Sequence, residues 1–121
     1  MACFPLPEPL MKIGILLLTS PEHGNTNTVQ RLCKGFLKTG NNVEIFLMED
    51  GVLNSISVGS PLRLTPPWED LTHQGLQLSL CTQTFEQRGL KKENLLPGAR
   101  LTNQHHLAKM VALSDRFLVF G

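Results

Sequence analysis

KIGILLLTSPEHGNTNTVQRLCKGFLKTGNNVEIFLM, residues 12–48, holds two apolar runs separated by a polar loop and an amphipathic segment. The runs KIGILLL (12–18) and VEIFLM (43–48) have the continuous apolar character of strands buried on both faces of a parallel sheet. Between them, apolar residues recur at i, i+3, i+4, i+7 and i+8 from Val29, which predicts a helix over 28–38. The stretch therefore predicts a strand–helix–strand unit with parallel strands.

The rest of the chain continues this alternation. We expect further strands at 76–80, 98–102 and 116–120, one helical turn at 52–56, and helices at 68–72, 82–88 and 104–113. Alternating strands and helices predict a three-layer α/β/α fold with a mostly parallel sheet of about five strands, of the flavodoxin/Rossmann-like type. Residues 1–11 are expected to form a disordered N-terminal extension, 12–121 a single domain, and the proline-rich stretch 57–67 a mobile loop.

Composition limits the classes of function. The formal net charge of +1, with no block of Lys and Arg, argues against a dedicated nucleic-acid binder. No apolar run approaches the roughly 18 residues that span a membrane. The three cysteines, Cys3, Cys33 and Cys81, form no CxxC pair, which argues against a disulfide framework and a zinc site of the usual spacing. Free thiols favour a cytoplasmic location.

Cys81 is the main candidate for chemistry. In open parallel α/β sheets, ligands bind outside the carboxyl ends of the strands, and Cys81 lies between a predicted strand and a predicted helix in LQLSLCTQTFEQRGL (76–90). The N–H groups at the start of that helix favour a thiolate, the nucleophilic form. Arg88, Lys91 and Lys92 follow and would add positive potential if they pointed toward Cys81, but the sequence does not give their direction. A buried cysteine that packs as a small apolar residue explains the position as well, and the local pattern alone favours this second interpretation.

Other residues support weaker hypotheses. Cys33 lies on the apolar face of the predicted helix and is expected in the core, whereas Cys3 belongs to the extension. The polar loop 19–28 is either a phosphate cradle or a capped helix start, but it matches neither GxGxxG nor the P-loop. Its His23 is a candidate to exchange a proton with Cys81.

Two further polar pairs need an interpretation. Asp50, in the Glu49-Asp50-Gly51 turn, is expected either to shape the turn or to orient a loop or an adjacent subunit. His105 and His106 point in different directions on a helix, so solvent exposure or helix capping is expected for them. We see no group of residues spaced as metal ligands.

The order of these pieces resembles a known family. The pieces are KIGILLL, KTGNNVEIFLM (38–48), EDGV (49–52), LSLC (78–81), RG (88–89) and PGARLTNQHHLAKMVALSDRFLVF (97–120). Together they are similar to the DsrE/DsrF-like sulfur-relay proteins, which include the TusD and YchN branches. The resemblance implies a cysteine persulfide carrier, or sulfurtransferase subunit, in which Cys81 accepts sulfane sulfur from a donor protein and passes it to an acceptor protein. It also implies a homo- or hetero-oligomer, a trimer or hexamer, without cofactor or metal and without direct contact with nucleic acid or membrane.

Two alternatives remain. A structural or regulatory DsrE-like subunit would keep the same fold with an inert Cys81. A flavodoxin-like nucleotide binder would instead use the loop 19–28.

Overall fold

A computed structural model describes residues 10–57 and 68–121. The expected extension, 1–11, and the expected loop, 57–67, lie outside the described residues except for Leu10, Met11 and Ser57. The strands are β1 Lys12–Leu17, β2 Asn42–Leu47, β3 Gln77–Cys81, β4 Arg100–Thr102 and β5 Arg116–Phe120. The helices are α1 Gly24–Lys38, α2 Glu69–His73, α3 Thr82–Gln87 and α4 Gln104–Leu113, with 3₁₀ helices at Glu49–Ser55 and Lys92–Asn94.

In the described part of the chain, five strands form one parallel sheet in the order β4-β3-β2-β1-β5. The predicted three-layer α/β/α class is thereby confirmed. The register places Ile15 of β1 between Ile45 of β2 and Leu118 of β5. All carboxyl ends of the strands therefore meet at one edge, where a site is expected in this class of fold.

The alternation of side chains along the strands gives the sheet two unequal faces. One face packs against α1, α2 and α3 and forms the main core, which includes Cys33 with no exposed surface, so the prediction for Cys33 is confirmed. Among the described residues, the opposite face packs against α4. There Phe46, Cys81 and Met110 form a separate buried group, called the minor cluster below. Partly buried apolar side chains surround it: Leu16, Met48, Leu107 and Phe117.

Most boundaries differ from the sequence prediction by one to four residues, and three of the differences have a clear structural basis. Helix α1 begins at Gly24 rather than 28, because the Nδ1 atom of His23 accepts a hydrogen bond from the backbone N–H of Asn25 at 3.0 Å and caps the helix earlier. The expected turn and helical turn after β2 are one continuous 3₁₀ helix, Glu49–Ser55. Strand β3 includes Cys81 because this residue pairs with Thr102 of β4.

Candidate functional site

Cys81 lies at the carboxyl edge of the sheet, as the sequence predicts. It is the last residue of β3 and the N-cap residue of α3. Its side chain is only 3% exposed and belongs to the minor cluster, and it makes no capping hydrogen bond to α3. The thiol therefore packs in the apolar layer between the sheet and α4, and it forms no hydrogen bond with the N–H groups at the start of α3.

A groove of about 490 Å³ opens beside this thiol. The hydroxyl of Thr82 donates to the carbonyl oxygen of Thr102 at 2.8 Å and ties the two walls together. The side chain of Asn103 caps α4 by accepting from the backbone N–H of His106 at 3.1 Å. The groove thus lies between the N-terminal ends of α3 and α4, where helix dipoles favour negative charge. It is lined by Cys81, Thr82, Gln83, Glu86, Thr102, Asn103 and Gln104.

Arg88 does not direct its charge toward Cys81. Its Nε and Nη2 atoms donate to Oδ1 of Asp50 at 3.0 and 2.9 Å, and Nη2 lies 3.6 Å from Oε2 of Glu49. The sequence left the direction of Arg88 open, and the structure directs it toward Asp50 and Glu49, whose carboxylates neutralise its charge. Asp50 does orient a neighbouring segment, since it connects the 3₁₀ helix Glu49–Ser55 to the end of α3.

The loop 19–28 is a capped helix start. The hydroxyl of Ser20 donates to the carboxylate of Glu22 at 2.7 Å, and this bond holds the pKa of that carboxyl below its ordinary value. The hydroxyl of Thr26 donates to the carbonyl oxygen of Ser20 at 3.4 Å. His23 is exposed and bonded to Asn25, and no hydrogen bond joins it to Cys81 in the described structure. The proposed proton exchange between His23 and Cys81 thus gains no support.

A polar cluster on the same sheet face as Cys81 was not anticipated from the sequence. Oε2 of Glu44 accepts from the hydroxyl of Ser79 at 2.7 Å, lies 2.6 Å from Nε2 of His106, and is 3.8 Å from Nη2 of Arg100. Ser79 is fully buried and precedes Cys81 by two residues, so both side chains lie on one face of β3.

The expectation for His106 is wrong in part. His105 is exposed, but the side chain of His106 is only 29% exposed, and its ring contacts Glu44 on β2 and stacks at 6.5 Å on Phe46. The helical position of His106 turns its ring toward the sheet. The signal in the sequence was a glutamate inside an otherwise apolar strand, since a carboxylate at such a position needs a partner.

Two negative findings concern residues 10–57 and 68–121. In these ranges no three His, Cys, Asp or Glu side chains are grouped so that they could hold a metal ion. Over the same residues, no helix combines the length and the apolar character needed to cross a membrane.

A family model described as "DsrE/DsrF-like family" matches residues 11–120. The chain belongs to the DsrE/DsrF-like family. Among curated proteins of this kind, an uncharacterized protein of Methanopyrus kandleri is 30% identical over 94% of this chain and 98% of its own length. The sulfurtransferase TusD of Buchnera aphidicola is 30% identical over 87% of this chain and 97% of its own length.

Solved structures show the same fold. The ychN protein of E. coli superposes with a TM-score of 0.78 at 21% identity, covering 92% of this chain and all of that protein. MTH1491 from Methanobacterium thermoautotrophicum, a protein of unknown function, superposes with a TM-score of 0.69 at 12% identity, over 88% of this chain and 97% of its own. The DsrE-like arrangement of strands and helices expected from the sequence is therefore confirmed.

Proposed function

We propose that the protein is a cysteine persulfide carrier, a sulfurtransferase subunit that relays sulfane sulfur through Cys81 to a partner protein. The observation that carries the proposal is the position of Cys81 at the end of β3, beside a groove between the N-terminal ends of two helices. Membership of the DsrE/DsrF-like family and the 30% identity to a sulfurtransferase TusD support it.

The chemistry is a balanced exchange. The thiolate of Cys81 attacks the outer sulfur of a donor persulfide, R–S–SH. A new S–S bond forms at Cys81, the S–S bond of the donor breaks, and the donor leaves as the thiolate R–S⁻. The terminal sulfur keeps its proton. A thiolate of the acceptor then attacks the same outer sulfur and regenerates the thiolate of Cys81, so that no external oxidant or reductant is consumed.

The groove suits this exchange. The attacking thiolate and the leaving thiolate are anions, and the helix N-termini at Thr82 and Gln104 favour negative charge beside the sulfur. The exchange requires no metal ion and no nucleotide. It requires a partner to bring its own sulfur into the groove.

The test is the transfer of one sulfur atom. Reduced protein is mixed with glutathione persulfide, and the added mass is located by peptide mass spectrometry. We expect one sulfur on Cys81, its loss on adding a small thiol, and none at this position in Cys81→Ser. The Cys33→Ser variant serves as the matched control, because Cys33 is a buried thiol in the main core. No added sulfur at Cys81 in the wild-type protein would overturn the proposal.

A second function is favoured by one observation. The thiol of Cys81 is 3% exposed and makes no hydrogen bond to α3, as expected of a structural or regulatory subunit with an inert Cys81. That function predicts that Cys81 in the native protein resists iodoacetamide as completely as Cys33 does. Alkylation of Cys81 under native conditions, with Cys33 protected, would exclude it.

We further propose that the carrier works in the cytoplasm, as a homo- or hetero-oligomer of three or six subunits, with separate donor and acceptor proteins. An exposed apolar side chain on the edge strand β5 supports an interface along that edge, since Val119 is 59% exposed. Light scattering at micromolar concentration tests the assembly. A monomeric mass, both for the protein alone and for the protein together with any co-purified sister subunit, would contradict the proposed assembly.

A further inference from the structure

The proposed sulfur transfer requires a conformational change, because the thiol of Cys81 is buried and a partner must reach it. The minor cluster holds Cys81 together with Phe46 of the sheet and Met110 of α4, and Leu107 packs against it. Phe46 has no exposed surface and belongs to a central strand, so it is fixed by its neighbours on both sides. The element whose displacement would expose the sulfur is therefore α4.

Packing holds α4 only lightly. Met110 is the single buried residue among the ten residues of the helix, whereas Val111 and Leu113 are mostly exposed. A cavity of about 330 Å³ separates part of α4 from the amino ends of the strands, with Met110 and Leu113 on the helix side and Lys12 on the strand side. Space of this size means that dispersion contacts under the helix are incomplete.

A polar contact supplements this packing. Nε2 of His106 lies 2.6 Å from Oε2 of Glu44 and joins α4 to the central strand β2. When α4 moves away, the carboxylate of Glu44 keeps the hydroxyl of Ser79 at 2.7 Å. Its side chain is 19% exposed and that of His106 29%, so water reaches both groups. Breaking this contact therefore leaves no polar group stranded, and the contact can open and close.

We propose that Glu44 and His106 are positioning residues that hold α4 closed over Cys81, and that release of their contact exposes the thiol to the sulfur-bearing partner. The inference rests on the proposed carrier function for its purpose. The closed state protects the thiol from small oxidants, and the open state presents it in the groove.

The experiment measures the rate of Cys81 alkylation by iodoacetamide in the native protein, with peptide mass spectrometry as the readout. His106→Leu removes the donor and keeps an apolar side chain on the helix. We expect its rate at Cys81 to rise at least about tenfold, which corresponds to about 1.4 kcal/mol and lies within what the loss of a hydrogen bond to a charged group costs.

Two variants show whether the contact itself matters. His106→Gln keeps an N–H donor close to the position of Nε2, and we expect its alkylation rate to stay within about twofold of wild type. His105→Leu makes the same substitution at the exposed neighbouring position and is expected to leave the rate unchanged. Cys33, in the main core, is followed in every sample, because its alkylation reports global unfolding.

An unchanged rate at Cys81 in His106→Leu, or a rise that Cys33 follows in parallel, would overturn the inference. Failure of the carrier function looks different. If His106→Leu speeds alkylation while Cys81 never takes up sulfur from glutathione persulfide, α4 covers a cysteine that is not a carrier. If Cys81 takes up sulfur while it is alkylated at the wild-type rate in every variant, the carrier function stands. The proposal that the contact between Glu44 and His106 holds α4 over Cys81 is then wrong.

Discussion

Gly51→Ala should destabilise the protein strongly, because the 3₁₀ helix Glu49–Ser55 crosses β1 with no space for a side chain. A Cβ atom at Gly51 would lie 2.0 Å from the carbonyl oxygen of Leu17 and 2.9 Å from its carbonyl carbon. A relaxed C···O contact is about 3.3 Å, so the two backbones must separate by about 1.3 Å. Both belong to regular structure and neither can rotate away. Overpacking typically costs 1–3 kcal/mol, and we expect the upper end, about 3 kcal/mol.

The assay is urea unfolding followed by the fluorescence of Trp68, the only tryptophan in the chain. Trp68 is 1% exposed, and its Nε1 atom donates to Oδ1 of Asn54 at 3.3 Å, so the probe also reports displacement of the 3₁₀ helix. A loss of about 3 kcal/mol lowers the urea midpoint by about 1–3 M.

The matched control is Gly35→Ala, in the interior of α1, where an added Cβ meets no atom within 4 Å. This change should stabilise the protein by about 0.5–1 kcal/mol, because alanine favours the helix. If Gly51→Ala unfolds within about 0.5 kcal/mol of wild type, the close approach to Leu17 is not a constraint and the argument is refuted.

Three further predictions use the same unfolding assay. Burial raises the pKa of the Cys33 thiol from 9.0 to about 12, so the folded state favours the neutral thiol. The contribution of this thiol to the free energy of unfolding is therefore complete below pH 9 and is lost between about pH 9 and 12. Cys33→Ala should remove this decrease in the free energy of unfolding, which is at most about 1.4 kcal/mol per pH unit. Equal slopes of the free energy of unfolding against pH in the wild-type protein and in Cys33→Ala would contradict the prediction. Arg88→Lys should lower the free energy of unfolding by only about 0.3–1 kcal/mol, since the ion pair with Asp50 is partly exposed. A double-mutant cycle with Asp50→Asn should give a coupling energy no larger than this. Gly14→Ala places a Cβ 2.7 Å from the ring of Phe117; because a side chain yields more easily than a backbone, the loss should be about 1–2 kcal/mol and smaller than that of Gly51→Ala.

The order of elements was predictable because burial on both faces leaves a continuous apolar run. KIGILLL and VEIFLM show this directly, and both are neighbours in the parallel sheet. The helix of Val29 and Cys33 was equally clear from its period. Boundaries were less predictable, since they depend on local caps such as the ring of His23, and histidine is not among the usual capping residues.

The candidate site was only half predictable. The position of Cys81 followed from a strand that ends where a polar helix begins. Its burial agrees with the interpretation that the local pattern favoured, but the residues that cover it could not be named, because Phe46 and Met110 lie 35 positions before it and 29 positions after it. The contact between Glu44 and His106 is equally non-local, with 62 positions between its partners. A single sequence contains the partners of such a contact but not their distance in space.

The contact between Asp50 and Arg88 gives a structural role to EDGV and RG, two of the sequence pieces that resemble the family. Helix α3 has six residues, too few to be stable by itself, so its direction depends on what it touches. Phe85 anchors it in the main core and Arg88 ties its end to Asp50. The position of Asp50 in turn follows from Gly51, whose missing side chain lets the 3₁₀ helix lie against β1.

The geometry at Cys81 therefore depends on residues that never touch the thiol. Because Cys81 is the N-cap of α3, any displacement of the 3₁₀ helix that rotates α3 also changes the position of the sulfur beside the groove. Gly51→Ala should consequently change the alkylation rate of Cys81 in molecules that are still folded, whereas Gly35→Ala should not. The positions of the two helix N-termini that favour an anion at the sulfur are thus determined independently. Contacts on the main-core face of the sheet position α3, and the contact with Glu44 on the other face positions α4.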